Sequence, residues 1–202
     1  RLGGIWRLRR LSATLISPAL EDALNTQVGR EFEASLQYVG IAAWFEGESL
    51  PELAAFFYRQ AEEERLHAMK FVHYVTETGG RLRIGSLAAP RTDFASAEEA
   101  VTAALSWEID VTRHINAIMD IALQERDHIA GQFLQWFVAE QREEVSSMST
   151  LRDVVRRAGP QGLLLVEDYL ARRLLPGDLD RETFVRRGTE LVQAAEREWA
   201  EG

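Results

Sequence analysis

Residues 51–78, PELAAFFYRQAEEERLHAMKFVHYVTET, decide the fold. Large apolar side chains recur along this stretch every three or four residues, the spacing that lines one face of an α-helix. Glu64 and His67 stand in the middle of that apolar face, one turn apart. A buried carboxylate without a partner would destabilise the fold by several kcal/mol. The stretch therefore predicts a long buried helix that brings a cation to Glu64 and His67.

Three further segments repeat this pattern, and each has one glutamate on its apolar face. They are centred on Glu31, Glu108 and Glu144. Each glutamate lies near the midpoint of its predicted helix, whichever way that helix runs. In a bundle of antiparallel helices the four carboxylates would therefore meet at one level. The pattern predicts one shared metal site and not four separate buried charges.

Capping residues predict where the helices begin, and glycine or proline predicts where they end. The predicted caps are Ser17 before Pro18, the capping boxes Ser49–Glu52 and Ser96–Glu99, and Asp127. The predicted breaks are Gly47, Gly79-Gly80, a point near Arg126, and Gly159-Pro160. Very short connections join the first helix to the second and the third to the fourth, so each pair is predicted to be antiparallel.

The connection between the second and third helices, residues 79–95, is long. A helix of about 29 residues is about 43 Å long, and about 17 extended residues reach about 56 Å. This connection can therefore run the full length of the bundle. We predict an all-α chain: a four-helix bundle with one long crossover, a short fifth helix at 162–175 and an extra C-terminal helix. The predicted divisions are an N-terminal tail (1–16), the bundle with its fifth helix (17–175) and a C-terminal helical extension (176–202).

Carboxylates with a single imidazole favour iron or manganese over softer metals. Di-iron carboxylate bundles place a Glu-x-x-His motif on two of the four helices. Here the second motif is incomplete, because Ser147 follows Glu144 where a histidine would be. The predicted site is asymmetric, which favours transient binding and release of metal over a permanent cofactor.

Several neighbours of these residues have two interpretations. Glu63, Glu140 and Glu143 could form a third, outer metal site or a solvated acidic face. Tyr38 could pack in the core or act as a redox-active or hydrogen-bonding neighbour of the metals. Trp136 is predicted to pack. The remaining histidines are predicted to be surface or packing residues, and they are His73, His114 and His128.

Composition excludes several classes of function. The net charge of −9 argues against general nucleic-acid binding, which needs a basic surface. The chain has no cysteine, so disulfides and thiolate metal sites are excluded. No apolar run approaches the ~20 residues of a membrane span, and the basic residues 1–11 lack the apolar core of a signal peptide. We expect no nucleic-acid or membrane partner and a cytoplasmic location.

Three stretches resemble bacterial non-haem ferritin: LNTQVGREFEASLQY at 24–38, AEEERLHAMKF at 61–71 and FLQWFVAEQREEV at 133–145. The resemblance runs over about residues 18–175 and implies the ferritin-like version of the predicted bundle. It also implies cages of 24 subunits that oxidise Fe(II) with O2 or H2O2 at a di-iron centre and store ferric mineral.

Carried over by position, the resemblance assigns roles to the site residues. Glu31, Glu64 and His67 would hold the first iron, and Glu64 would bridge to the second, held by Glu108 and Glu144. Further matches are Gln141 beside the second iron, Glu63, Glu140 and Glu143 at a third iron site, and the pair Tyr38 and Trp136 close to the centre. Bacterioferritin binds haem through a methionine just after the bridging glutamate. Arg65 stands there, so no haem is expected.

The sequence therefore favours an iron-storage ferritin with ferroxidase activity. One alternative is a di-iron oxidoreductase or peroxidase of the same superfamily acting on an organic substrate. Such an enzyme would need a second Glu-x-x-His motif and an apolar pocket. Another alternative, a non-catalytic helical assembly protein, gives no reason for carboxylates on four apolar faces at one level.

Overall fold

Five α-helices and one short 3-10 turn account for most of the described chain. The structure is a computed structural model that describes residues 14–174. The elements are α1 (Pro18–Gly47), α2 (Pro51–Glu77), α3 (Ala97–Gln124), α4 (His128–Ala158), the 3-10 turn Pro160–Gly162 and α5 (Leu163–Leu174). Residues 1–13 of the predicted tail (1–16) and the whole predicted helical extension (176–202) lie outside the described residues.

The four long helices form the predicted bundle. Helices α1 and α2 pack along each other, as do α3 and α4, and α1 also contacts α3. The chain between α2 and α3 forms the predicted crossover without regular secondary structure, and the fifth helix packs on α2 and α4. Within residues 14–174, no helix is both long enough and apolar enough to cross a membrane.

The apolar core consists of two clusters with a polar level between them. One cluster includes Phe45, Phe57 and Met148 and extends to α5. The other includes Leu24 and Phe71 near the opposite end of the bundle. Aliphatic and aromatic side chains on both sides exclude water from the layer between, so charges there are weakly screened.

Amide side chains on α1 hold the crossover in place. Asn25 Nδ2 donates to the carbonyl oxygen of Arg81 at 3.0 Å, and its Oδ1 accepts from the backbone N–H of Arg83 at 2.6 Å. Gln37 forms the same two-way pair with the backbone of Arg91, at 2.8 and 2.9 Å. These contacts give protein partners to backbone groups of a segment outside helices and strands and attach it to α1.

The crossover also comes very close to the backbone of α1. A Cβ atom built at Gly40 would lie 3.0 Å from the carbonyl oxygen of Arg91. Glycine at position 40 therefore permits this approach, since a larger residue would push the crossover away.

Three of the four predicted caps are confirmed. Ser17 Oγ accepts from the backbone N–H of Leu20 at 3.1 Å, and Ser96 Oγ accepts from Glu99 at 3.1 Å. Asp127 Oδ1 accepts from Ala130 at 2.9 Å. Each cap provides an acceptor for an amide that lacks a partner in the first turn of its helix.

The predicted capping box Ser49–Glu52 is wrong. Ser49 has a left-handed backbone (φ 60), and Leu50 occupies the cap position without a side-chain hydrogen bond. The acceptor comes instead from Glu167 on α5, whose carboxylate accepts from the backbone N–H groups of Glu52 and Leu53 at 2.7 and 2.9 Å. A carboxylate serves this position well because it also interacts favourably with the positive end of the helix dipole.

Candidate metal centre

Glu31, Glu64 and His67 form a buried cluster at the level between the two apolar clusters. One ligand atom from each lies within 4.8 Å of the others, and the three residues are 1%, 1% and 4% exposed. His67 Nδ1 lies 3.3 Å from Glu64 Oε2. Glu31 comes from α1 and the other two from one face of α2, so packing of these helices assembles the cluster.

Helices α3 and α4 supply the other side of this level. Glu108 is fully buried, and Glu144 and Gln141 are 6% and 3% exposed. Gln141 Nε2 lies 3.5 Å from Glu108 Oε2. The structure therefore brings the four predicted glutamates into one buried layer, with the single histidine on the α2 side.

Two oxygens of this layer lack a hydrogen-bond partner among the described residues: Glu31 Oε2 and Glu64 Oε1. The second oxygen of Glu31 does have a donor, because Gln27 Nε2 donates to Oε1 at 2.8 Å. Buried polar atoms in folded proteins are nearly always paired, and an unpaired carboxylate oxygen is costly. The two free oxygens are therefore the positions at which a cation would be most stabilising.

Burial and crowding of like charges perturb all four carboxyls in the absence of a cation. Burial raises the pKa of Glu31 and of Glu64 well above the usual range. The charge of Glu64 raises the pKa of Glu31 further, and the charge of Glu108 raises that of Glu64, whereas the neighbouring Glu31 carboxyl lowers the pKa of Glu64. Burial raises the pKa of Glu108 to about 7, although the hydrogen bond from Tyr38 opposes this shift. Burial and the charge of Glu108 raise the pKa of Glu144 to about 8. A divalent cation would displace these protons and supply the missing positive charge.

Tyr38 combines the two roles that the sequence left open. Its ring is fully buried and lies 5.8 Å from the ring of Phe57, between centroids. Its hydroxyl donates to Glu108 Oε1. Burial and the nearby charge of Glu108 raise the pKa of the Tyr38 phenol well above its ordinary value. Tyr38 is thus a core residue that also binds a carboxylate of the centre, and a redox role for it stays a prediction.

The predicted outer residues line an open cavity of about 280 Å³ beside the centre. Glu63 and Glu143 are exposed and Glu140 is half-buried. Glu144 lies between the buried layer and this cavity, because it belongs to both. Arg59 also lines the cavity and supplies a positive charge among the carboxylates. The geometry suits an outer cation site, whose occupancy stays a prediction.

Trp136 is 41% exposed and packs between the His67 ring and the Lys70 ammonium group. Its ring meets the ring of His67 edge to face at 5.4 Å, and Lys70 Nζ lies 4.4 Å from its centroid. The other histidines have no part in the buried layer: His73 and His128 are exposed, and His114 is half-buried. Trp136 therefore packs against the His67 imidazole, as Phe137 also does at 6.0 Å between centroids.

The sequence analysis missed two residues that touch this layer. Gln27 lies one turn before Glu31, and that spacing could have identified it as a partner. Thr112 lies one turn after Glu108 and contacts Gln141. No local sequence signal predicts this second contact, because it depends on how α3 and α4 face each other.

Comparison with known proteins gives a consistent family assignment. Residues 21–158 match the family described as ferritin-like domain. Ferritin BfrB of Mycolicibacterium smegmatis is 40% identical over 157 residues, which cover 78% of this chain and 86% of that protein. The bacterial non-heme ferritin of Staphylococcus aureus is 36% identical over 161 residues, which cover 79% of this chain and 97% of that protein.

A solved structure agrees with these relatives. The open pore ferritin from the hyperthermophilic archaeon Archaeoglobus fulgidus superimposes with a TM-score of 0.75 at 32% identity, covering 77% of this chain and 96% of that chain. The family match over residues 21–158 includes the buried carboxylates and the imidazole. Bundle topology, the ligand cluster and these similarities together show that the chain belongs to the ferritin family.

Proposed function

We propose that this protein is an iron-storage ferritin that oxidises Fe(II) at the buried carboxylate layer. The observation that carries the proposal is the pair of unpartnered oxygens, Glu31 Oε2 and Glu64 Oε1, beside the His67 ring. In a ferritin chain, an arrangement of buried carboxylates with one imidazole is suited to binding ferrous iron.

In this proposal two Fe(II) ions are substrates and bind side by side. Glu31, Glu64 and His67 hold the first ion. Glu64 also reaches the second ion, which Glu108 and Glu144 hold with Gln141 beside it. Each iron gives up one electron. O2 accepts both electrons with two protons to form H2O2, or H2O2 accepts them with two protons to form two water molecules.

The asymmetry of the centre favours release of the oxidised product. Ser147 occupies the position of a second histidine on α4, so the second ion has oxygen ligands only. Ser147 and Glu144 both line the outer cavity with Glu63, Glu140 and Glu143. We infer that ferric iron leaves past Glu144 into this cavity, where the three outer glutamates form a third iron site.

The same cavity argues against the alternative of an oxidoreductase acting on an organic substrate. Its walls are carboxylates, an amide, a hydroxyl and the Arg59 guanidinium, with Phe56 as an aromatic side chain. Such walls favour cations over an apolar substrate. The proposed metal is iron without haem, since Arg65 stands where bacterioferritin has its haem-binding methionine. The Arg65 side chain is exposed and pairs with Glu62 at 2.5 Å.

We further propose that the chain assembles into a cage of 24 copies that stores ferric mineral. Support comes from family membership and from the fifth helix, which is docked on the bundle through Glu167. The similar protein from Archaeoglobus fulgidus is described as an open pore ferritin. The helical extension predicted at 176–202 is the part of this chain that could alter packing between subunits.

The test is the substitution Glu64→Ala, matched with Glu62→Ala. Glu64 is buried in the centre, whereas Glu62 is exposed and pairs with Arg65 at the surface, where such pairs contribute little. We expect Glu64→Ala to abolish rapid Fe(II) oxidation in stopped-flow absorbance while circular dichroism shows unchanged helix content. Glu62→Ala should oxidise iron like the unaltered protein. Rapid oxidation that survives Glu64→Ala would rule out this centre as the ferroxidase site.

A further inference from the structure

Thr112 lies where α3 meets α4, directly beside the second half of the centre. Its Oγ1 is 2.8 Å from the backbone carbonyl oxygen of Glu108 and 2.9 Å from Gln141 Oε1. On its other side, the Gln141 amide places Nε2 3.5 Å from Glu108 Oε2. Gln141 is 3% exposed and Thr112 is half-buried, so water has little access to the Gln141 amide.

The hydroxyl of Thr112 has one proton but faces two acceptor oxygens. A hydroxyl donates one hydrogen bond and accepts others, so it can serve only one of the two oxygens fully. If the hydroxyl donates to Gln141 Oε1, the carbonyl of Glu108 keeps only its backbone hydrogen bond within α3. If it donates to that carbonyl, Gln141 Oε1 is left facing a lone pair. Rotation of the amide by half a turn removes this conflict, because Nε2 would then donate to Thr112 Oγ1.

The charge on the Glu108 side decides which amide orientation is favoured. Without a cation, the buried Glu108 carboxylate benefits from a donor, and Gln141 Nε2 points toward it. A cation held by Glu108 reverses this preference, since an N–H group directed at a cation is repelled and a carbonyl oxygen is attracted. Amide oxygens are good ligands for hard cations.

We propose that Thr112 is a positioning residue that lets Gln141 turn its amide oxygen toward the second iron. This inference rests on the proposed function, because it concerns the second ion of the same centre. Before iron binds, Thr112 Oγ1 donates to Gln141 Oε1, and Gln141 Nε2 donates to Glu108 Oε2. Once iron binds, Thr112 donates to the carbonyl of Glu108 and accepts from Gln141 Nε2. Both orientations need the hydroxyl, which acts as a donor in one and an acceptor in the other.

The experiment titrates the metal-free full-length protein with Co²⁺, which does not undergo the redox reaction and reports its coordination through visible absorption. The unaltered protein should bind two ions per chain at the centre. Thr112→Val keeps the shape of the side chain and removes the hydroxyl. We expect Thr112→Val to lower the affinity for the second Co²⁺ ion about tenfold, as loss of outer hydrogen bonds to metal ligands does elsewhere. The affinity for the first ion should stay unchanged. Thr112→Ser keeps the hydroxyl and should bind the second Co²⁺ ion with the affinity of the unaltered protein.

A double variant tests whether Thr112 acts through Gln141. In a Gln141→Leu background, Thr112→Val should cause no further loss of Co²⁺ affinity. Three results would overturn the inference and leave the proposed function standing. Thr112→Val could lower the affinity for both ions equally, it could change neither affinity, or it could cause its full loss of affinity again in the Gln141→Leu background. If the unaltered protein binds fewer than two ions at the centre, the proposed function fails first and the inference fails with it.

Discussion

The candidate metal centre and the crossover differ in whether their polar groups have hydrogen-bond partners, although α1 contributes to both. In the crossover, Asn25 and Gln37 each match one donor and one acceptor to the backbone. In the centre, Glu31 Oε2 and Glu64 Oε1 have no partner within the described residues. The crossover contacts involve backbone of exposed residues, which water could also reach, whereas the two oxygens of the centre are buried, where an unpaired carboxylate is costly. The unmatched oxygens of the centre are therefore better explained by an ion than by poor packing.

The largest effect expected from this contrast is a pH dependence confined to the centre. The folded pKa values of Glu108 and Glu144, about 7 and about 8, lie above the ordinary value of 4.5. The folded protein therefore holds protons that the unfolded chain releases, so stability falls as pH rises from about 4.5 to about 8. Each pKa unit corresponds to about 1.4 kcal/mol, and the loss should amount to several kcal/mol.

Thermal unfolding of the metal-free protein, followed by circular dichroism at pH 5, 7 and 9, measures this loss. We expect the melting temperature to fall by roughly 10 °C over this range, at about 2–4 °C per kcal/mol for a chain of this size. Glu144→Gln should flatten the profile, and bound Co²⁺ should flatten it too. A melting temperature that rises steadily with pH in the metal-free protein would show that the carboxylates are already compensated.

Substitution in the contacts of the crossover should lower the free energy of unfolding by a smaller amount and leave the rate of Fe(II) oxidation unchanged. Asn25→Leu removes the hydrogen-bond partners of the Arg81 carbonyl and the Arg83 N–H. It should lower the free energy of unfolding by about 1–3 kcal/mol, the usual effect of unpaired polar groups. Proteolysis within 79–95 should accelerate while stopped-flow Fe(II) oxidation stays the same. Thr26→Ala, on the exposed side of the same turn, is the matched control. Slower iron oxidation in Asn25→Leu would mean that the two regions are coupled.

The smallest effect is expected at the contact between α5 and α2, which satisfies backbone groups as the crossover does. Glu167→Ala removes the acceptor for the amides of Glu52 and Leu53 and should cost about 1 kcal/mol, a typical value for a lost cap. Thermal unfolding measures the difference against Asp168→Ala, whose exposed side chain pairs, within residues 14–174, with Arg172. Equal melting temperatures for the two variants would show that the Glu167 cap adds nothing.

Local patterns were sufficient to predict much of this molecule. Caps such as Ser96 act within one turn, so the sequence alone indicates them. The four glutamates were predictable because each interrupts an apolar face. The start of α2 was not predictable, since its cap comes from Glu167, 115 residues beyond Glu52. The contact between Thr112 and Gln141 was also out of reach, because the rotation of α3 against α4 determines it.

The Glu167 cap makes two backbone amides report on the attachment of the fifth helix. The N–H protons of Glu52 and Leu53 are covered by a carboxylate from α5. At the first turn of a helix, no carbonyl of α2 itself can protect them. They can therefore exchange with deuterium when α5 detaches, even while the bundle remains folded. Their exchange rate would measure the free energy of that local opening in the assembled protein.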